Sequence, residues 1–457
     1  MNNQLTLNLF PYSSLEVFNN QNIKFDRADL GTFKDSLRAP IHRWFTYPAG
    51  FSFKAVEEAL RIYNIRPGMI VYDPFAGTGT TNVVAKRKGI SSFGVEAHPF
   101  IQFVAQTKLF WEFDFSTLSS EIDKLISQIE NSISDANLLD ICVSKIFPEL
   151  VCKCYSHQKL AQLYLCREAI AALPVNPFQN FARLGLTNLL RSIADVATGW
   201  PYIAPQKARK ITKTTQSLNV VEAYRIQLYK MRDDLYQVQT GSSIRGNAVL
   251  ISGDSRQKQN LIDDETVDLA FTSPPYLNNY DYADRTRLEM YFWGEASSWG
   301  DITRKVRDRL MMSATTQINR SDYNLEKLLS DDLCQIAPEV AAELQPKIAE
   351  LSKLRLLKGG KKSYDIMVAG YFNDMLRVMR ETYRVLRPSS TFIMILGDSA
   401  PYGIYIPTDV YLGEIGRAIG FASYKIENLR IRGGKWKDNP QRHDVALKEC
   451  IVTLSKN

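Results

Sequence analysis

Residues 69–81 read MIVYDPFAGTGTT: a short apolar run ending in an acid, then a glycine-rich loop and two threonines. The turn signal RPG stands just before it, so 69–73 is predicted as a strand. Gly77 and Gly79 let the backbone come close to a ligand, and Thr80 or Thr81 can cap the helix expected over TTNVVAKRKG. A second strand, SSFGVE (91–96), follows that helix and ends in Glu96, 17 residues after Gly79. Strand, loop, helix and strand in that order start a parallel sheet with crossover helices. In doubly wound sheets an acid at the end of the second strand meets the ribose hydroxyls of a nucleoside. The third glycine of the dinucleotide fingerprint is missing, and no lysine stands where a P-loop needs one. The stretch therefore predicts a nucleoside-containing cofactor.

Further strands are expected at 248–254 (AVLISGD), 266–273 (TVDLAFTS), 391–398 (TFIMILGD), near 421–428 and near 446–454. With the first two they make seven, alternating with helices over much of their length. The expected fold is an α/β, doubly wound, mostly parallel sheet carrying two largely helical insertions. The boundaries that follow are a first catalytic part at 1–111, a helical insertion at 112–245, a second catalytic part at 246–295, a second insertion at 296–365 and a C-terminal part at 366–457. Lys and Arg number 56 against 49 Asp and Glu, a net charge of +7 that permits a polyanionic partner without requiring one. Six cysteines are too few for a disulfide framework, and no long apolar span is present, so no membrane contact and a cytoplasmic setting are expected. Cys152, Cys154, His157 and Cys166 lie close in sequence but in a stretch that reads as helical, where residues two apart do not share a face; ordinary half-buried thiols are expected, with no metal.

The fourth strand runs into TSPPY (272–276). Two prolines are an ordinary way to stop a strand. Set beside DPFAGTGTT, they carry more. DPFAGTGTT resembles motif I of the S-adenosylmethionine-dependent amino-methyltransferases, and TSPPY resembles their motif IV catalytic loop. The longer TSPPYLNNYDYADRTRLEMYFWG (272–294) is similar to bacterial DNA methyltransferases that modify exocyclic amino groups, and Ser273 in place of aspartate points to their cytosine-N4 branch. HRWFTYPAGFS (42–52) resembles motif X, and VLRPSSTFIMILGDS resembles the helix, turn and strand that complete the sheet. The motif order is X, I, IV, and both insertions stay unmatched. The resemblance implies S-adenosyl-L-methionine as cofactor, held by Tyr47, Pro48, Asp73, Phe75, Gly77, Gly79, Thr80, Thr81, Glu96, Asp254 and Ser273. It implies a catalytic loop of Ser273, Pro274, Pro275 and Tyr276, double-stranded DNA as substrate, and a cognate restriction endonuclease as partner.

The residue types suit that chemistry. An exocyclic amino group on a base is a poor nucleophile because its lone pair is delocalised into the ring. Two acceptors on its hydrogens pull the nitrogen toward tetrahedral geometry. The Ser273 hydroxyl can be one and the Pro274 carbonyl the other, since Pro275 holds the residue before it extended. Tyr276, with Tyr280 and Tyr282 as alternatives, can stack on a base flipped out of the duplex. Adenine-N6 methylation suits the same loop; guanine-N2 methylation of RNA and a non-catalytic DNA-binding subunit are the further alternatives. Four basic stretches, 206–215, 304–310, 353–362 and 430–442, are candidates for a DNA-facing surface, and the insertion 112–245 for target recognition.

Overall fold

The computed structural model describes residues 27–47, 50–198, 203–208, 219–241, 245–432 and 445–457. Its central sheet is built from β1 (Ile70–Asp73), β2 (Ser91–Glu96), β5 (Ala248–Ser252), β6 (Val267–Thr272), β7 (Leu386–Gly397), β8 (Ser423–Arg432) and β9 (Leu447–Ser455). The strand order is β5-β2-β1-β6-β7-β9-β8, parallel from β5 to β7, with β9 antiparallel to both its neighbours. The remaining strands, β3 (Val196–Ala197) and β4 (Ala204–Ala208), form a small hairpin within the first insertion. The order reverses at β1, which pairs with β2 on one side and with β6 on the other. That places the glycine loop beside TSPPY although almost 200 residues separate them.

Alternation along the strands explains the layers. Val71, Leu269 and Phe271 point to one face, against α1 (Phe53–Ile62) and α2 (Thr80–Arg87). Tyr72 and Ala270 point to the other, against the helices Tyr364–Val385 and Thr408–Ile419. With both faces covered, the central strands read as apolar runs rather than alternating ones. The RPSS stretch, expected as a turn, lies within β7: residues 387–390 bulge from the ladder, Ser389 takes φ 62°, and the register with β6 shifts between Val267 and Leu269. At the centre Gly94 lets the glycine loop close down, because a Cβ there would lie 2.9 Å from that of Ala76.

The first insertion is α4 (Phe115–Asp135), two single-turn helices, the helices His157–Ala171 and Pro177–Ile193, the hairpin, and the helix Val220–Thr240; between Leu109 and α4 the chain leaves α3 (Pro99–Leu109). The stretch around the cysteines is not one helix. It breaks before Ser156, whose amide donates to Asp195 Oδ2 (2.7 Å), and Cys154 and Cys166 are buried separately as apolar filler. The insertion shares one core with the rest: Leu118, Ile122 and Leu228 cluster with Trp44 and Phe45, with Phe100 and Val104 of α3, and with Leu288 and Phe292 beyond the TSPPY loop. Buried charge reinforces this. Asp234, 1% exposed, accepts from Ile41 N–H (3.1 Å), Trp44 Nε1 (3.0 Å) and Arg43 Nε (2.9 Å). It thereby holds Ile41 at φ 66°, a costly conformation for a β-branched residue. Glu289, also 1% exposed, is gripped by Arg191 of the insertion (2.6 and 3.0 Å) and by Arg285 (3.3 Å). Removing one partner of such a buried pair typically costs about 3–5 kcal/mol.

The second insertion contributes the helices Trp299–Lys305, Asp331–Ile336 and Pro338–Leu357, the last packed on the helix Tyr364–Val385 through Leu344 and Leu351. No helix among the described residues is long and apolar enough to cross a membrane.

Candidate active site

The site forms at the C-terminal ends of β1, β2, β5 and β6, and its centre is a carboxylate with no exposure at all. Asp73 Oδ1 accepts from the Phe75 N–H (3.0 Å) and from Thr272 Oγ1 (2.6 Å); Oδ2 accepts from Thr81 Oγ1 (2.6 Å). Thus the last residue of β1 ties the glycine loop, the first turn of α2 and the last residue of β6 together. Burial pushes its pKa up to about 6, opposed by those three donors. Gly79 precedes α2 at φ 80°, in the left-handed region where glycine is unstrained.

Glu96 ends β2 and clamps the loop from the other side. Its Oε2 accepts from Gly77 N–H (2.9 Å) and its Oε1 from His98 N–H (2.7 Å). Burial raises it to about 7. His98, 2% exposed, is held neutral because burial lowers its pKa to about 3. Its Nε2 lies 2.7 Å from Thr286 Oγ1, which also reaches the Ala283 carbonyl (3.1 Å). That buried Nδ1 has no partner among the described residues.

These groups surround a cavity. Tyr47, Phe75, Gly77 and Thr80 form part of its wall, as do Glu96, Asp254, Ser273 and Pro275. Asp73, Gly79, Thr81, Pro274 and Tyr276 are not wall residues: Asp73 and Thr81 act on the cavity through the loop they hold. Pro48 lies outside the described residues. The Asp254 carboxylate is occupied by Arg256, whose Nε lies 2.8 and 3.0 Å from its two oxygens. Ser273 Oγ donates to the Ile395 carbonyl (2.9 Å) and also lies within hydrogen-bond reach of the Tyr276 hydroxyl. Tyr276 is anchored through its hydroxyl to Glu449 Oε1 (3.0 Å), with the Arg432 guanidinium 5.4 Å from its ring centre. Tyr282 accepts the Tyr276 N–H at its hydroxyl (3.3 Å) and packs edge-on against the buried Tyr280 at 4.8 Å.

Sequence reasoning missed Phe51, Val95, Ala97 and His98, and it missed Arg309, Leu310, Met311 and Ser313 of the second insertion. Phe51 lies inside HRWFTYPAGFS and the next three beside Glu96, so nearness to the motifs was their usable signal; the others lie in irregular chain with no such signal. In the basic stretch 304–310, Arg304, Lys305 and Arg309 are exposed but Arg307 is not. Arg307, 1% exposed, pairs with Asp281 (2.7 Å) and lies 3.9 Å from the Trp299 ring centre. Most of 206–215 and of 430–442 lies outside the described residues.

The cavity fits S-adenosylmethionine in kind: a carboxylate for vicinal hydroxyls, the apolar Val95, Ala97 and Met311 for flat ring faces, and a buried ring nitrogen of His98 with no partner among the described residues. Because Glu96 ionises only near pH 7, affinity for S-adenosylhomocysteine should rise as pH increases through about 7, gaining a full acceptor. The same raised pKa has the opposite sign for stability, which falls as pH rises from about 4 to about 7. Calorimetric titration of the wild type and Glu96→Gln should show the slope in the first and a weaker, flat affinity in the second; a flat wild-type profile would contradict the assignment.

Known proteins are similar to this chain in sequence. The family model for N6/N4 DNA methylases matches residues 12–107. The chain is 24% identical to the type II methyltransferase M.BsoBI of Geobacillus stearothermophilus, over 93% of this chain and 88% of that protein. It is 24% identical to the type II methyltransferase M.AvaI of Anabaena variabilis, with the same coverage of each chain. To the type II methyltransferase M.MvaI of Kocuria varians it is 22% identical, over 94% and 93%. Among solved structures, the rRNA methyltransferase aviRa from Streptomyces viridochromogenes overlaps 64% of this chain and 80% of its own at 11% identity, with a TM-score of 0.22. With the glycine loop, its acid, Ser273 and Pro275 assembled at one cavity, the family match and these relatives together support an S-adenosylmethionine-dependent amino-methyltransferase of the N4/N6 family.

Proposed function

We propose that the chain methylates the exocyclic N4 amino group of cytosine in duplex DNA, after flipping the base, as the modification enzyme of a restriction system with a cognate endonuclease. The observation that carries the reading is Ser273 in the cavity wall, its hydroxyl held between the Ile395 carbonyl and Tyr276, where it can accept from an amino group. Serine at this position, where aspartate would be the alternative, favours cytosine over adenine by resemblance to the N4 branch. The type II names of the relatives support the restriction setting.

When bound, S-adenosylmethionine supplies a sulfonium methyl as electrophile. Everything else falls to the chain. Ser273 Oγ accepts one amino hydrogen and the Pro274 carbonyl the other, so the lone pair is released from the ring and aimed at the methyl. Pro275 keeps that carbonyl from turning away. The Glu449 hydrogen bond holds the Tyr276 ring in one orientation for stacking on the extruded base, worth roughly 1–3 kcal/mol against the stacking lost in the duplex. Tyr280, being buried and packed against Tyr282, is the weaker candidate for that role. Orientation alone can contribute about 7–11 kcal/mol when reacting groups are well placed.

We further assign target recognition to the first insertion, 112–245. Its support is the buried linkage of Arg191 to Glu289 and of Arg167 Nη1 to the Phe292 carbonyl (2.9 Å), which fixes the insertion to the extension of the catalytic loop. Because the insertion shares the core, its deletion would unfold the chain. Photo-cross-linking of a bound duplex should instead map to 112–245, and cross-links confined to the sheet would move recognition elsewhere.

Nucleoside mass spectrometry of DNA incubated with enzyme and cofactor should give N4-methylcytosine; N6-methyladenine alone would replace the reading by the adenine one. Ser273→Ala should lower kcat by about 10²–10³ while S-adenosylhomocysteine affinity stays within a few-fold. Equal loss of both would mean that the hydroxyl only shapes the loop.

A further inference from the structure

The second insertion carries a short irregular segment, Arg309–Thr315, that lies against the cofactor cavity through Arg309, Leu310, Met311 and Ser313. Two anchors hold it. On the β5 side, Asp374 Oδ2 accepts the Met312 N–H (2.8 Å) and Arg256 Nη1 (2.9 Å), and Arg256 Nη2 donates to the Arg309 carbonyl (3.3 Å). Arg256 is the residue that also grips Asp254. On the catalytic side stands Asn279, three residues beyond Tyr276. Its N–H donates to the Ser313 carbonyl (3.1 Å), and its Oδ1 accepts from both the N–H (2.7 Å) and the Oγ1 (2.9 Å) of Thr315. Gln317 Oε1 fixes the bend between them, accepting from the amides of Ser313 and Ala314 at 2.9 Å each.

Cavity wall, strap and catalytic loop are therefore joined in series by hydrogen bonds, three of them made by one residue. Asn279 also sits at φ 59°, the left-handed region that asparagine tolerates better than most residues. A strap position set by what fills the cavity must be felt at Asn279, since the other end is fixed to Asp374.

We propose that Asn279 is a positioning residue: it transmits occupancy of the cofactor cavity to the TSPPY loop, so that the loop takes its working position for a flipped base when the cavity is filled. This rests on methyl transfer to DNA as proposed above. Coupling of this kind is reciprocal, so bound cofactor and bound DNA must tighten each other by the same factor.

Asn279→Gly separates the side chain from the backbone, because glycine adopts the same φ without strain while the Oδ1 acceptor is lost. Asn279→Asp restores an acceptor at the same place. The readouts are DNA affinity by fluorescence anisotropy, with and without saturating S-adenosylhomocysteine, and steady-state kinetics. The wild type should bind DNA more tightly with S-adenosylhomocysteine present. Asn279→Gly should lose that tightening and, since a misplacement near 1 Å can cost about 10²-fold, drop kcat roughly 10- to 100-fold; its S-adenosylhomocysteine affinity without DNA should stay unchanged, while the cofactor KM at saturating DNA rises by the factor of tightening lost. Asn279→Asp and Thr315→Val should recover and reproduce the defect, respectively. Wild-type tightening that persists in Asn279→Gly, or failure of Asn279→Asp to recover, would overturn the role. A wild-type chain that shows the tightening but puts no methyl on DNA would instead remove the proposed function.

Discussion

The buried carboxylate of Asp73 is the constraint on which the site depends. It has no exposure and accepts from three donors that belong to three different pieces of chain. Taking an acid out of water is costly unless such donors are supplied, and each of them is thereby fixed in place. The Phe75 amide sets the start of the glycine loop, Thr81 the start of α2, and Thr272 the end of the strand that delivers Ser273. Cofactor loop and catalytic loop are therefore positioned by the same oxygens. The sheet topology makes this possible, because only at the reversal between β1 and β6 do those two loops become neighbours.

Around this centre the insertions act as parts of the site. The first completes the hydrophobic core beneath the N-terminal segment that carries Tyr47 and braces the helix after the catalytic loop through Arg191 and Glu289. Arg285 adds a link between that helix and the same N-terminal segment, donating to the Thr46 carbonyl (3.0 Å). The second insertion supplies one wall of the cavity. Regions that look like additions to a minimal sheet are thus bonded to its working edge by buried charge and irregular backbone.

How much of this is legible in the sequence follows from which signals are local. The central strands β1, β6 and β7 show as apolar runs because the sheet is covered on both faces there, and the loops after β1 and β6 show because glycine and proline are chosen for conformations few other residues accept. The acid at the end of β2 shows because its spacing is set by one crossover helix. Asp73 is visible as an acid, but its inward turn is not, since that depends on Thr272 almost 200 residues away. Leu310, Met311 and Ser313 are invisible for the same reason: their stretch has no period, and only tertiary contact with Asp374 and Asn279 brings it to the cavity. Arg307 misleads, because a basic run in sequence says nothing of a buried Asp281 beside it. The cysteine stretch misleads in a milder way, since Asp195, distant in sequence, breaks what reads as one helix.

The central claim is that one buried carboxylate sets both loops, and Thr272→Val tests it most directly. Valine matches threonine in shape and removes only the donor to Asp73 Oδ1, and Thr272 is not part of the cavity wall. In an isothermal titration with S-adenosylhomocysteine, the account predicts that this change in the catalytic strand weakens cofactor binding by roughly tenfold, the worth of one hydrogen bond to a charged group. Affinity equal to that of the wild type would show that the two loops are held independently, and would contradict it.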